Sequence, residues 1–147
     1  TYIHRTDTEM EEVYTYTSGE DDKNIDAYMK QLQQKVGSKR LYLLAFAAED
    51  AHTKEPWCPD CAQLEPTMES VLRENEEIAQ SVVCVVAPLK REVYRRPDHP
   101  YRVHKDLQLY SIPTLYRYRV ESGGFDEERI VFDGSNQRDD IVSYLQK

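Results

Sequence analysis

Two stretches of this chain are apolar without interruption: Leu41-Tyr42-Leu43-Leu44-Ala45-Phe46-Ala47-Ala48 and Val82-Val83-Cys84-Val85-Val86-Ala87. Strands covered on both faces read this way, so both are expected as central, buried β-strands. Between them Leu64, Met68, Val71 and Leu72 recur at helical spacing, predicting a helix over about 59–76 that joins two parallel strands. Pro59 suits the first turn of that helix, and Pro66 inside it predicts a kink. Further upstream Ile25, Tyr28, Met29, Leu32 and Val36 form another amphipathic stripe, with Gly37 placed to end the helix.

The remaining pattern is weaker. Residues 13–17 alternate aromatic and β-branched types, as an edge strand does, and 18–22 read as a turn. Residues 49–56 are polar and longer than most strand-to-helix connections, which predicts a rim loop beside whatever site the following helix carries. Pro97 and Pro100 break residues 88–105, leaving room for a short helix over 102–107. Ser111-Ile112-Pro113-Thr114-Leu115-Tyr116 leading into an alternating strand through Val120, a Ser122-Gly123-Gly124 turn and a second strand over 129–132 make a hairpin. Ile141, Val142 and Leu145 mark a terminal helix capped by Ser135 or Asn136. The expectation is an α/β protein: an arm over 1–10, then one domain over 11–147 with a central mixed sheet and helices on both faces.

Charge narrows the partners. With 27 acidic and 19 basic side chains among 147 residues the net charge is −8, which repels phosphate backbones, so nucleic acid is not an expected partner. There is no apolar run of membrane-spanning length and no charged-then-apolar leader at Thr1, so the sequence-level expectation is a cytoplasmic protein without a membrane partner, acting as a monomer. Three cysteines are too few, and an odd number, for a disulfide-stapled framework.

Two of those cysteines stand in Trp57-Cys58-Pro59-Asp60-Cys61, at the entry of the predicted second helix. A thiol there meets unpaired backbone N–H groups and the positive end of the helix dipole, so Cys58 is expected to be ionised, accessible and nucleophilic. Cys61, one turn on, is placed to attack a mixed disulfide formed on Cys58 and resolve it. Half a zinc site is the alternative for a C-x-x-C pair. Zinc needs further ligands, however, and Cys84 sits in an apolar run while His4, His52, His99 and His104 show no paired spacing, so no metal is expected. Trp57 reads as a partly exposed lid over the thiol, and Cys84 as an inert buried one. Glu65 is left open between a hydrogen bond near the thiols and simple solvation. The segment containing Arg91, Arg95, Arg96, Arg102, Tyr94 and Tyr101 reads first as solvated surface and second as a recogniser of an acidic partner.

The strand and helix order, the Trp-Cys-Pro-Asp-Cys motif, Glu65-Pro66, Asp98 and Ile112-Pro113-Thr114-Leu115 resemble the thioredoxin fold, and within it the thioredoxin domain-containing protein 17 family, over about 11–145. The resemblance implies a dithiol-disulfide oxidoreductase that reduces cystine-like or exposed disulfides, or nitrosylated and persulfidated thiols. It holds no bound cofactor and receives electrons from NADPH through thioredoxin reductase. It further implies that Pro113 is a cis-proline facing the thiols, that the Ile112 backbone pairs with substrate, and that Trp57, Pro59, Ile112 and Pro113 contact substrate. Where thioredoxins keep a buried Asp this chain has Ala45, so Asp60 is the candidate proton acceptor for Cys61. Since Asp60 opposes ionisation, a Cys58 pKa near about 7 is expected, well above that of a strong oxidant. The rival reading is a scaffold that keeps the fold and binds a partner beside Pro113 without turnover.

Overall fold

The computed structural model describes residues 12–15, 25–134 and 137–146. Its elements are β1 (Glu12–Thr15), α1 (Ile25–Val36), β2 (Arg40–Ala47), α2 (Pro59–Glu74), α3 (Glu76–Ser81), β3 (Val82–Leu89), α4 (Arg91–Tyr94), α5 (Pro100–Val103), β4 (Thr114–Arg119), β5 (Gly124–Val131) and α6 (Arg138–Leu145). The expected arm over 1–10, the turn over 18–22 and the two candidate cap residues Ser135 and Asn136 fall outside the described residues.

The strands form one mixed sheet in the order β1-β3-β2-β4-β5. β3 runs parallel to both β1 and β2, whereas β4 lies antiparallel to β2 and β5 antiparallel to β4. This arrangement explains the unbroken apolar runs: β2 and β3 occupy the middle, and Leu41 through Ala47 have no exposure. The helices pack around the sheet, and α2 and α6 lie against one another, with Arg138 Nη1 donating to Ser70 Oγ at 2.9 Å. Tyr42 Oη donates to the Tyr144 carbonyl at 3.2 Å and Arg40 Nη2 to that of Leu145 at 2.5 Å, tying the end of α6 to the start of the central strand. Gly37, at φ +72°, ends α1 where only glycine turns left-handed without strain.

Several boundaries differ from expectation for identifiable reasons. The helix over 59–76 stops at Glu74, and a second one, α3, follows: Asn75 leaves helical geometry, and its side-chain amide donates to the Val71 carbonyl at 2.8 Å, satisfying one carbonyl of the helix end. α3 buries Ile78 and Ala79 but is too short to leave a periodic trace in the sequence. α2 continues through Pro66. β3 also runs past Ala87 through Pro88 to Leu89, with Pro88 level with Phe46 of β2.

The helix expected over 102–107 lies instead at Pro100–Val103. Pro100 starts it rather than breaking it, and His99 Nδ1 caps it by accepting the Tyr101 amide at 3.0 Å. Residues 104–107 form a turn in which His104 Nδ1 accepts the amides of Asp106 at 3.0 Å and Leu107 at 3.2 Å. β5 begins at Gly124, well before the expected 129, because its Asp126, Glu127 and Glu128 disguise an edge strand as loop. Asp126 there accepts Arg117 at 3.1 Å and Arg119 at 3.2 Å from β4.

The His99 cap has a pH consequence. His99 is 1% exposed, and burial, followed by the Arg102 and Arg96 guanidiniums, pushes its imidazole below its ordinary pKa of 6.5, against the pull of Asp98. The unfolded chain therefore binds the His99 proton more readily than the folded one, so stability present above about pH 6.5 is lost as pH falls below that value. Protonation also turns the accepting Nδ1 into a donor and removes the cap. Urea midpoints measured from pH 7.5 to 5 are expected to decline in the wild type and to flatten in His99→Gln; an equal slope in both would refute the role of this residue.

Candidate active site

The C-terminal ends of the two central strands converge on the cysteines. Ala48, just past β2, donates to the Leu89 carbonyl at 2.9 Å, and Trp57 donates back to the Ala48 carbonyl at 3.2 Å, so the intervening chain leaves and returns at one point. Within that excursion the Asp50 carboxylate accepts the amides of His52 at 2.8 Å and Thr53 at 3.2 Å, and Lys54 donates to the Asp50 carbonyl at 2.9 Å. The two amides hold Asp50 below the usual carboxylate range. The expected rim loop is therefore a turn closed on itself beside the site.

Trp57 is half-buried and fixed on three sides. Its indole N–H donates to the Leu89 carbonyl at 2.7 Å, its ring lies 5.6 Å from that of Tyr94, and the Arg91 guanidinium sits 5.2 Å from its centroid. Cys58 then stands as N-cap of α2, with extended φ −99° and ψ 121°, while Pro59 opens the helix and its ring is exposed. Opposite, the Ile112-Pro113 bond is cis, and Cys58 Sγ lies 3.7 Å from the Ile112 carbonyl oxygen. The Phe132 amide donates to the Pro113 carbonyl at 3.1 Å and Thr114 Oγ1 to the Ser111 carbonyl at 2.7 Å, anchoring this loop to the sheet. Thus Trp57, Cys58, Cys61, Ile112 and Pro113, which the sequence scatters over 57 positions, meet at one groove.

Both cysteines are reduced and differ in state. Cys58 is lowered from its ordinary 9.0 to about 6, first because the Cys61 thiol donates a hydrogen bond to it, against burial, and then through the backbone amides of Cys61 and Asp60; the Asp60 carboxylate opposes. The amides of Asp60 and Cys61 are those of the helix entry, so the Cys61 thiol adds to the cause that the sequence points to. Cys61 is driven strongly the other way by burial, by the bond it gives Cys58 and by the charge forming there, while the Ala47 backbone amide pulls down and Asp60 up. At neutral pH the pair therefore holds one thiolate, on Cys58, and one proton, on Cys61.

Accessibility is lower than expected: Cys58 is 8% exposed and Cys61 not at all. Ala45 is buried between Ala87 and Thr114, so no carboxylate stands at that strand position. Asp60 is half-buried and faces away toward α6; a Cβ on Gly134, whose φ is +90°, would lie 3.0 Å from Asp60 Oδ1. With Gln63, Thr67, Ser70, Phe132 and Arg138, Asp60 lines a cavity of about 420 Å³. Glu65 is raised to about 6, by burial first and then by Glu69, Glu49 and Glu55, which makes it part of an acidic wall.

The basic segment divides. Arg102 donates to the carbonyls of Tyr94, at 2.6 Å, and Leu109, at 3.3 Å; Arg96 pairs with Asp98 at 3.2 Å; Arg91 lies on Trp57. Sequence reasoning did not connect Arg91 and Tyr94 with the site. Their position just past the C-terminal end of a central strand is the available signal, since open α/β sheets carry their sites at that edge. Cys84 is 4% exposed within β3. Among the described residues no group of three His, Cys, Asp or Glu side chains is arranged to hold a metal ion.

A mixed sheet with a C-x-x-C helix entry facing a cis-proline loop defines a thioredoxin-like protein of general redox type. Thioredoxin from Trypanosoma brucei brucei superposes with a TM-score of 0.53 at 12% identity, covering 97% of this chain and 96% of that one, which supports the fold. A family model described as thioredoxin domain-containing protein 17-like, thioredoxin domain, matches residues 3–135, and the chain belongs to that family. It is 34% identical over 85 residues to the thioredoxin-like protein Clot of Arabidopsis thaliana, covering 58% of this chain and 62% of that protein. It is 28% identical over 93 residues to thioredoxin domain-containing protein 17 of Homo sapiens, covering 63% of this chain and 71% of that one. The chain spans less than two thirds of the length of the first curated relatives it matches.

If the Cys61 thiol is the principal cause of the lowered Cys58 pKa, Cys61→Ala is expected to return it toward 9.0 by about one unit or more, and Cys61→Ser, which keeps a donor, by less. Asp60→Asn is expected to move it slightly down. Ultraviolet titration of the thiolate reads all three; an unchanged value in Cys61→Ala removes the thiol-to-thiolate bond as the cause.

Proposed function

We propose that this protein is a dithiol-disulfide oxidoreductase that reduces small or exposed disulfides, such as cystine-like ones, and related nitrosylated or persulfidated thiols. The observation that carries the reading is the division of protons between the two sulfurs: Cys58 ionised near neutrality and Cys61 held as a thiol. In the first step the Cys58 thiolate attacks one sulfur of the substrate, forming a mixed disulfide, and the other sulfur leaves as a thiolate that takes a proton from water. Cys61 then loses its proton and attacks Cys58 Sγ, closing the Cys58–Cys61 disulfide and releasing the second substrate thiol. Two electrons pass from the cysteine pair to the substrate, and of the two protons the released thiols carry, one comes from Cys61 and one from water.

Asp60 is the proposed proton acceptor for Cys61 in that second step, its charge being felt at both sulfurs. Trp57, Pro59, Ile112 and Pro113 are the proposed substrate contacts, with the Ile112 carbonyl facing Cys58. Return to the dithiol requires a two-electron donor, for which thioredoxin reductase with NADPH in a reducing, cytoplasmic setting is the proposal. The self-closed loop over 49–56 and the 8% exposure of Cys58 favour small disulfides over those of folded proteins. The same low exposure is the one observation favouring the scaffold reading, in which the groove at Pro113 holds a partner without exchange.

The test is NADPH consumption by thioredoxin reductase with this protein and a panel from cystine to insulin. Cystine is expected to turn over faster than insulin, with rates rising through about pH 6 as Cys58 ionises, and Cys58→Ser is expected to abolish them. Cys61→Ser is expected to accumulate mixed disulfides on Cys58. Absence of turnover with every acceptor, together with partner capture that survives Cys58→Ser, would favour the scaffold instead.

A further inference from the structure

The wall of the groove on the side of α4 contains one cation the redox chemistry does not use. Trp57 precedes Cys58 directly; its ring meets Tyr94, and Tyr94 Oη donates at 3.3 Å to the carbonyl of Tyr110, two residues before Ile112. Trp57, Tyr94 and the Tyr110 backbone are thus linked in a row beside the loop whose Ile112 carbonyl faces Cys58, and Tyr110 is 68% exposed. On top of this wall the Arg91 guanidinium sits 5.2 Å from the Trp57 centroid, and Arg91 is exposed.

Packing on an aromatic face leaves the in-plane N–H donors of a guanidinium unused and fixes its position, which suits it to receive a carboxylate. No described residue accepts a hydrogen bond from Arg91 or pairs with it within 4.0 Å, although it contributes to the field at Asp50. The groove is also polarised. Asp60 acts on both cysteines, and Glu49, Glu55 and Glu69 act on Glu65, so carboxylates gather along α2 and the loop before it. An anionic ligand is therefore repelled from the α2 side and drawn to the α4 side, in a protein whose net charge of −8 otherwise disfavours anions.

We propose that Arg91 is the specificity-determining residue of the groove, receiving a carboxylate carried close to the sulfur that Cys58 attacks. The occupant is a small disulfide bearing carboxylates near its sulfurs. This proposal rests on the reductase reading for its biological meaning, but its first test does not depend on turnover.

Iodoacetate and iodoacetamide alkylate Cys58 by the same reaction, in which the thiolate forms a carbon–sulfur bond and iodide leaves, and they differ in a carboxylate. The ratio of their rates, followed by mass at Cys58, cancels any change in thiolate population. Arg91→Gln is expected to lower the iodoacetate-to-iodoacetamide ratio by about two- to fivefold, the range of an exposed ion pair, and Arg91→Lys to restore most of it. Salt near 1 M, which shortens the screening length to about 3 Å, is expected to erase the wild-type preference. Turnover gives the second arm: Arg91→Gln is expected to raise KM for cystine more than for cystamine, which lacks the carboxylates. A merely structural role would move both alkylation rates together and leave the ratio unchanged, and that result overturns the proposal. Failure to reduce any disulfide would instead sink the reductase reading, with the alkylation ratio still deciding the role of Arg91.

Discussion

The placement of Cys58 at the entry of α2 with Cys61 one turn deeper in the core is the constraint on which the rest of the site depends. It lowers one pKa and raises the other in the same act, so that a pair of chemically identical side chains holds one charge and one proton. The asymmetry of surroundings that produces it is geometric. Cys58 lies at the lip of the groove, where α2 amides point at it, and Cys61 is one turn deeper with no solvent at all. Neither residue is unusual alone; the difference in their surroundings sets their two thiols apart in acidity.

Holding that difference requires a rigid frame, and the sheet provides it. The runs that flank the motif are the two most enclosed strands, and their C-terminal ends deliver Ala47, whose amide contacts Cys61, and Leu89, whose carbonyl fixes Trp57. From the other direction the β4 entry brings Ile112 and Pro113, anchored by Phe132 and Thr114. Three separate parts of the chain thereby converge on one sulfur. Membership in the protein 17 family and the thioredoxin-like fold follow from this frame together with the motif.

Charge adds a second layer. The chain is acidic as a whole, and Asp60 and the glutamates around Glu65 extend that character to one wall of the groove. The opposite wall carries aromatic rings with a guanidinium on top. This uneven distribution of charge is set by side chains outside the C-x-x-C motif.

Much of the frame was readable from residue order. The apolar runs identified β2 and β3, the 3.6-residue stripes identified α1 and α2, and Trp57 to Cys61 announced thiol chemistry, because these signals are local: burial on both faces, one-sided burial and spacing within one helical turn. Elements with little apolar content were misread for the same reason. β5 begins among acids that Arg117 and Arg119 neutralise, α5 uses Pro100 as a start rather than a break, and α3 is too short to show a period. What only tertiary structure decided was every relation between distant positions. The Cys61 thiol joins the helix-entry amides in lowering the Cys58 pKa, Asp60 turns toward Gly134, Cys58 is more enclosed than an open thiolate, and Arg91 lies on Trp57 34 residues away in sequence. Spacing along a chain encodes which groups share a helix face, but burial and electrostatic field at a sulfur are sums over neighbours that the fold alone brings near.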